Sequence, residues 1–105
     1  MQSGYRYHVA EKANSLAGVV AVKDNTHLYH LFVAEQYQRK GLAKKLWQVA
    51  MEECLSQGNE GEFTVNSSAY AIPVYEQFGF VTRSGPEAKG GVVYFPMKLT
   101  LSNDI

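Results

Sequence analysis

The chain predicts an α+β fold, a mostly antiparallel mixed sheet carrying two helices in the order β-β-β-α-β-α-β-β. Three observations predict it. Short β-rich runs divided by turn residues fill the first third. One long segment has helical rather than alternating period. A strand, helix, strand succession in the second half requires one right-handed parallel crossover in a sheet that is otherwise antiparallel.

Tyr5 to Glu11 is rich in aromatic and β-branched residues and reads as a strand, ended by the turn signal Asn14-Ser15. Leu16 to Lys23 is nearly continuous in apolar residues and reads as a second strand. Asp24-Asn25 closes a hairpin onto a third, Thr26 to Val33. Gly41 to Gln57 is helical. Leu42, Ala43, Leu46, Trp47, Val49, Ala50 and Cys54 make one broad face, with Lys44, Lys45, Gln48, Glu52 and Ser56 opposite. Gly58 is placed to end it as C′. Glu62 to Asn66 is a short strand. Ser67-Ser68 can cap a second helix that reaches Phe78 and stops at Gly79. Pro73 is tolerated only in a first turn, so the regular helix starts near Ala71 or Ile72. Phe80 to Ser84 is a strand, Pro86 to Gly91 a loop, and Val92 to Leu101 the last strand.

With 105 residues and no visible linker or repeat, the expectation is a single domain over residues 1–105. Ten basic and ten acidic residues give zero formal charge, which argues against a nucleic-acid or anionic-membrane partner. No apolar run approaches the roughly 20 residues of a membrane span. Cys54 is the single cysteine, so a disulfide scaffold is excluded. MQSGYRYH lacks the apolar core of a signal peptide, and a cytoplasmic location is the default expectation.

The informative stretch is LFVAEQYQRKGLAKK, Leu31 to Lys45. A strand ends, a loop presents Gln38-Arg39-Lys40-Gly41-Leu42-Ala43, and a helix opens. A helix start has backbone N–H groups without internal partners and the positive end of a dipole. Gly41 lets the backbone approach a ligand closely, and the small Ala43 keeps that approach clear. Arg39, Lys40 and Lys44 add positive charge, so the loop suits a pyrophosphate. An ordinary helix start with solvated lysines would look the same on these residues alone.

Two blocks together resemble the GNAT superfamily of acetyltransferases. The first is Gln38-x-x-Gly41-x-Ala43 after the apolar strand. The second is Asn66-Ser-Ser-Ala-Tyr-Ala-Ile-Pro-Val-Tyr75-Glu-Gln-Phe-Gly-Phe80. The resemblance covers roughly residues 16 to 101. It implies a GNAT-like acyl-CoA N-acyltransferase fold, with acetyl-CoA as co-substrate and an amine acceptor. It also implies that backbone groups of Leu31, Phe32 and Val33 pair with the pantetheine arm and polarise the thioester carbonyl. The loop from Gln38 to Lys44 would hold the pyrophosphate. Tyr75 matches the family's general acid; a packed aromatic of a short helix is the structural alternative. Asn66 would bond the pantetheine or serve the start of the second helix.

For a general base the third strand offers His27, Tyr29 and His30; a histidine titrates near neutral pH, and the resemblance aligns His27 with a position where several GNAT enzymes carry a glutamate. Strand alternation puts His30 on the opposite face. A bonded structural role for His27 stands beside the catalytic one. Glu35 reads as solvated, Cys54 as a small buried hydrophobe, and His8 has no partner that the sequence identifies. No metal is expected, since no cluster joins the histidines.

The chain departs from the resemblance in front. The first strand and two helices of a typical GNAT domain, which wall the acceptor site, have no counterpart before Tyr5. The acceptor side is therefore open, closed by a homodimer partner, or left in a truncated remnant. A non-catalytic acyl-CoA-binding module is the alternative to an enzyme.

Overall fold

Residues 4–101 are described by a computed structural model. They form β1 (Tyr5–Lys12), β2 (Ser15–Lys23), β3 (His27–Val33), α1 (Leu42–Ser56), β4 (Glu62–Ser67), α2 (Ile72–Gln77), β5 (Val81–Thr82), β6 (Glu87–Lys89) and β7 (Val92–Thr100). A short 3-10 turn, Glu35–Tyr37, precedes α1. The expected α+β class holds, with one strand more than expected. The chain divides into two units, Met1–Glu60 and Gly61–Ile105.

In the first unit β1, β2 and β3 make an antiparallel meander. Ala13 and Asn14, at φ 52° and 65°, form the two-residue loop between paired Lys12 and Ser15. Positive φ at both loop positions matches the right-handed twist of the flanking strands. Asp24 and Asn25 (φ 54° and 64°) turn the chain again. Opposed residues of an antiparallel pair share a face. Gly18, Val20 and Val22 oppose Val33, Leu31 and Leu28, and this face carries α1. A Cβ on Gly18 would stand 2.7 Å from Leu46 Cδ1 and 2.9 Å from the Phe32 carbonyl, so only glycine admits the helix there. Trp47, Leu46, Ala50 and Cys54 are buried against the strands, whereas Val49, expected on the same face, is 46% exposed.

The register of β2 on β3 breaks between Ala21 and Val22. Val22 opposes Leu28, but Ala21 opposes His30, leaving Tyr29 as the extra residue of a bulge. The expectation that His27 and His30 point to opposite faces is therefore corrected. His27 opposes Lys23 and His30 opposes Ala21, so both imidazoles stand on the face away from α1.

In the second unit β7 is the central strand. β4, β5 and β6 all pair with it antiparallel. Phe63, Val65, Phe80, Met97 and Leu99 are its buried apolar residues. The expected loop over Pro86 to Gly91 is in part a strand: Gly90 and Gly91 (φ 58° and 81°) form a two-residue turn that folds β6 back on β7. β5 is shorter than the expected Phe80 to Ser84. Arg83 donates its N–H to the Pro96 carbonyl at 3.0 Å, and proline has no N–H to return.

Both helices end in the same way. Gly58 and Gly79 each sit at φ 103°. Gly58 donates to Leu55 at 3.2 Å and Asn59 to Cys54 at 3.0 Å, while Gly79 donates to Glu76 and Phe80 to Tyr75, each at 3.0 Å. These paired bonds satisfy carbonyls that a helix end leaves open. Asn25, in the β2–β3 turn, adds its Nδ2 donor to the Cys54 and Gln57 carbonyls, each at 3.2 Å. Among the described residues, no helix is long and apolar enough to cross a membrane.

Candidate functional site

In the first unit the site builds on the end of β3 and the start of α1. Gln38 donates its side-chain amide to the Val33 carbonyl at 2.9 Å, tying loop to strand. Arg39 at φ 64° and Gly41 at φ 80° turn the chain sharply into the helix. Gly41 is the N-cap and carries no side chain to bond the first turn, and the first intrahelical bond runs from Lys45 N–H to Gly41 O at 3.0 Å. The N–H groups of residues 41 to 44 thus stand ahead of the helix without a side-chain cap. A Cβ on Gly41 would meet nothing within 4 Å, so the space above the helix start is open. Arg39, Lys40, Gly41 and Lys44 are exposed beside it. Leu42 and Ala43 are half-buried. This donor set fits the diphosphate of an acyl-CoA: backbone N–H groups without a side-chain cap, a dipole end and exposed cations beside open space.

Of the strand residues, Leu31 and Val33 are half-buried on the α1 face and Phe32 is 45% exposed on the other. His27 is half-buried. Its pKa lies below the ordinary 6.5, first through desolvation and then through the nearby Lys23 ammonium, with Asp24 opposing. Its imidazole is consequently neutral at physiological pH, the form that can accept a proton.

The second unit holds Asn66 and Tyr75. Asn66 lies near the end of β4 and is exposed. It does not serve the start of α2, because Ser68 Oγ accepts the Ala71 N–H at 3.2 Å instead. Pro73 falls in the first turn of α2, as expected. Tyr75 is half-buried, with its ring edge-on to Phe78 (6.0 Å) and Phe80 (5.9 Å). Its carbonyl takes the Phe80 N–H that closes the helix. The Tyr75 ring is thereby set by the glycine termination one turn later. Burial raises its pKa above the usual 10.0, so the phenol keeps its proton through the neutral range.

Sequence reasoning named Tyr29 beside the histidines of the third strand but missed the aromatic group that Tyr5, Tyr7 and Tyr29 form on the outer face of the meander. Tyr5 stacks at 6.5 Å from Tyr7 and meets Tyr29 edge-on at 5.0 Å. The signal was present: Leu28 and Leu31 are three apart, which strict alternation of a strand forbids and a bulge allows. Cys54 is wholly buried, and burial raises its thiol pKa, as befits a packing residue. Among the described residues no three His, Cys, Asp or Glu side chains converge as a metal site would require.

Comparison with known proteins follows the same outline. A family model described as an acetyltransferase (GNAT) domain matches residues 1–101. A GCN5-related N-acetyltransferase from Rhodopseudomonas palustris superposes with TM-score 0.82 at 20% identity, covering 94% of this chain and 63% of that one. The PaiA N-acetyltransferase of Thermoplasma acidophilum, solved with coenzyme A, gives TM-score 0.78 at 19% identity over 93% of this chain and 62% of its own. An acetyltransferase of Bacillus subtilis, also solved with CoA, gives 0.72 at 20% identity over 94% and 78%. This chain therefore spans less than two-thirds of the first two. No curated protein matches it.

Proposed function

Because the chain belongs to the family of GNAT acetyltransferase domains, we propose that it moves an acetyl group from acetyl-CoA to a primary amine, by direct attack while both are bound. The observation that carries this reading is the start of α1 at Gly41, which no side chain caps and where a Cβ on Gly41 would meet nothing within 4 Å.

The steps follow from the residues. The helix start and Arg39, Lys40 and Lys44 hold the diphosphate. The backbone of Leu31, Phe32 and Val33 lies along the pantetheine arm, and an N–H there takes up charge on the carbonyl oxygen as it develops. The amine nitrogen attacks the thioester carbon. A C–N bond forms, the C–S bond breaks, and its electron pair leaves on sulfur. Tyr75 gives that sulfur its proton, and His27 takes one from the amine. Asn66, free of the α2 start, bonds the arm. Positioning supplies much of the rate, since a bound pair reacts as a single molecule.

Calorimetry with CoA and a thiol-release assay with acetyl-CoA over a panel of amines test the reading. The expected result is CoA binding, thiol release with at least one amine, and a fall in kcat of about 10² to 10⁴ in Tyr75→Phe with the fold intact. CoA binding without thiol release, unaltered in Tyr75→Phe, would make the chain an acyl-CoA-binding module.

A further inference from the structure

β1 is an edge strand. It pairs with β2 on one side, and no other described strand pairs with it. The Asp24 N–H donates to the Gly4 carbonyl at 2.6 Å, one step beyond the Tyr5–Lys23 pair. Bonded and non-bonded pairs alternate along antiparallel strands. Gly4, Arg6 and His8 therefore spend their main-chain groups on β2, while the N–H and C=O of Tyr7 and Val9 point away from it. Such an edge is a template for another strand unless lysine or proline blunts it. Residues 7–10 include neither, and Tyr7 and Val9 are 59% and 55% exposed.

The edge runs into an apolar groove of about 290 Å³. His8, Val9 and Ala10 form one wall, and Leu42, Leu46 and Val49 of α1 form the other. A strand added beside β1 would lie about 4.8 Å away. It would close the groove and take Val49 out of water.

The sequence of β1 says which strand fits. In a two-fold antiparallel pair, opposed residues share a face, so one residue lies on the axis and meets its own copy. With His8 on the axis, residues 5–11 pair along their whole length. Tyr7 then meets Val9 twice, Tyr5 meets Glu11 twice, and Arg6 meets the small Ala10 twice. That last pairing leaves the guanidinium on Asn25 Oδ1, to which it donates at 3.0 Å. With Val9 on the axis, Arg6 would oppose Lys12, and like charges would face each other twice. With Tyr7 on the axis, only residues 5–9 of the strand overlap. The zero formal charge of the chain adds no long-range repulsion between copies.

We propose that a second copy of this chain pairs antiparallel with β1, His8 opposite His8 on the two-fold axis, so that one sheet runs through two protomers. The pairing goes beyond the acetyl-transfer reading and does not depend on it.

Sedimentation equilibrium of the full chain tests it. The expected mass is twice 11.7 kDa. His8→Lys and His8→Glu should each return to the single mass, because like charges then meet on the axis with Cα atoms about 4.5 Å apart. Mixed in equal amounts, the two variants should recover the doubled mass. Val9→Pro removes an outward N–H, a change that an edge strand tolerates. It should dissociate the pair with the circular dichroism unchanged. A wild-type chain that keeps the single mass up to about 1 mM would overturn the proposal. A doubled mass that survives both His8→Lys and Val9→Pro would place the contact on another face and overturn it too. A mixture of the two His8 variants that stays at the single mass would overturn the His8 register. Thiol release from the same samples reports on acetyl transfer separately.

Discussion

His27 and Tyr75 are displaced from their ordinary titration in opposite directions, and each displacement suits the role proposed for that residue. His27 titrates below 6.5. Its neutral form, the proposed base, is therefore complete at neutral pH and is lost only as pH falls through the lowered value. Tyr75 titrates above 10.0, so its proton stays available on the alkaline side. The pH profile of kcat/KM should rise on an acid limb lying below 6.5 and then run flat through neutrality. In His27→Gln that limb should vanish, with a loss of about 10² to 10⁴ in rate. An acid limb that persists unchanged in the variant would move the base elsewhere, and His30 on the same face is the next group to replace. The same sign holds for stability. Below 6.5 the unfolded chain binds a proton that folded His27 resists, so His27 favours unfolding as the solution is acidified.

Elements are held together here by turn residues that act at a distance in the sequence. Asn25 has φ 64°, and its amide bonds the Cys54 and Gln57 carbonyls at the end of α1. Arg6 in turn donates to Asn25 Oδ1 at 3.0 Å. Asn25→Ala should cost about 2 kcal/mol, from the lost hydrogen bonds and the left-handed backbone. Asn25→Gly should cost about half as much, because glycine keeps the conformation. Urea unfolding of the two variants separates the contributions, and equal losses would assign the whole effect to the bonds. The sequence announces the turn through Asp24-Asn25, but not this second role. A side chain reaching 29 and 32 residues onward has no periodic signature.

For the molecule as a whole, CoA that binds the folded chain alone must stabilise it. At 100 times its Kd the gain is about 2.7 kcal/mol. Thermal unfolding should shift upward with CoA concentration, and Gly41→Val should abolish the shift by filling the space above the helix start. A shift that survives would place the diphosphate elsewhere. Much of this was legible beforehand. The helical period of α1, the glycines at 58 and 79 and the first-turn Pro73 are local signals, and they placed both helices within a residue or two. Less was legible where an outcome depends on the partner strand. β5 stops because Pro96 stands opposite, β6 exists because two glycines reverse the chain, and His30 changes face because Tyr29 is extra. Of the candidate site, the loop and Tyr75 stand in motifs visible in the sequence and their roles remain the proposal, whereas the aromatic face has no motif, because its members come from two strands and one irregularity.

The short bond from Gln38 to Val33 has a mechanical corollary. It fastens the loop proposed to hold the phosphates to the strand proposed to take the thioester. On that reading the two ends form a gauge of fixed length, and a carrier is measured against it. A full coenzyme would span from one stop to the other and bring its carbonyl to a set point on the strand. A shortened thioester, lacking the diphosphate, would have only one stop and could slide.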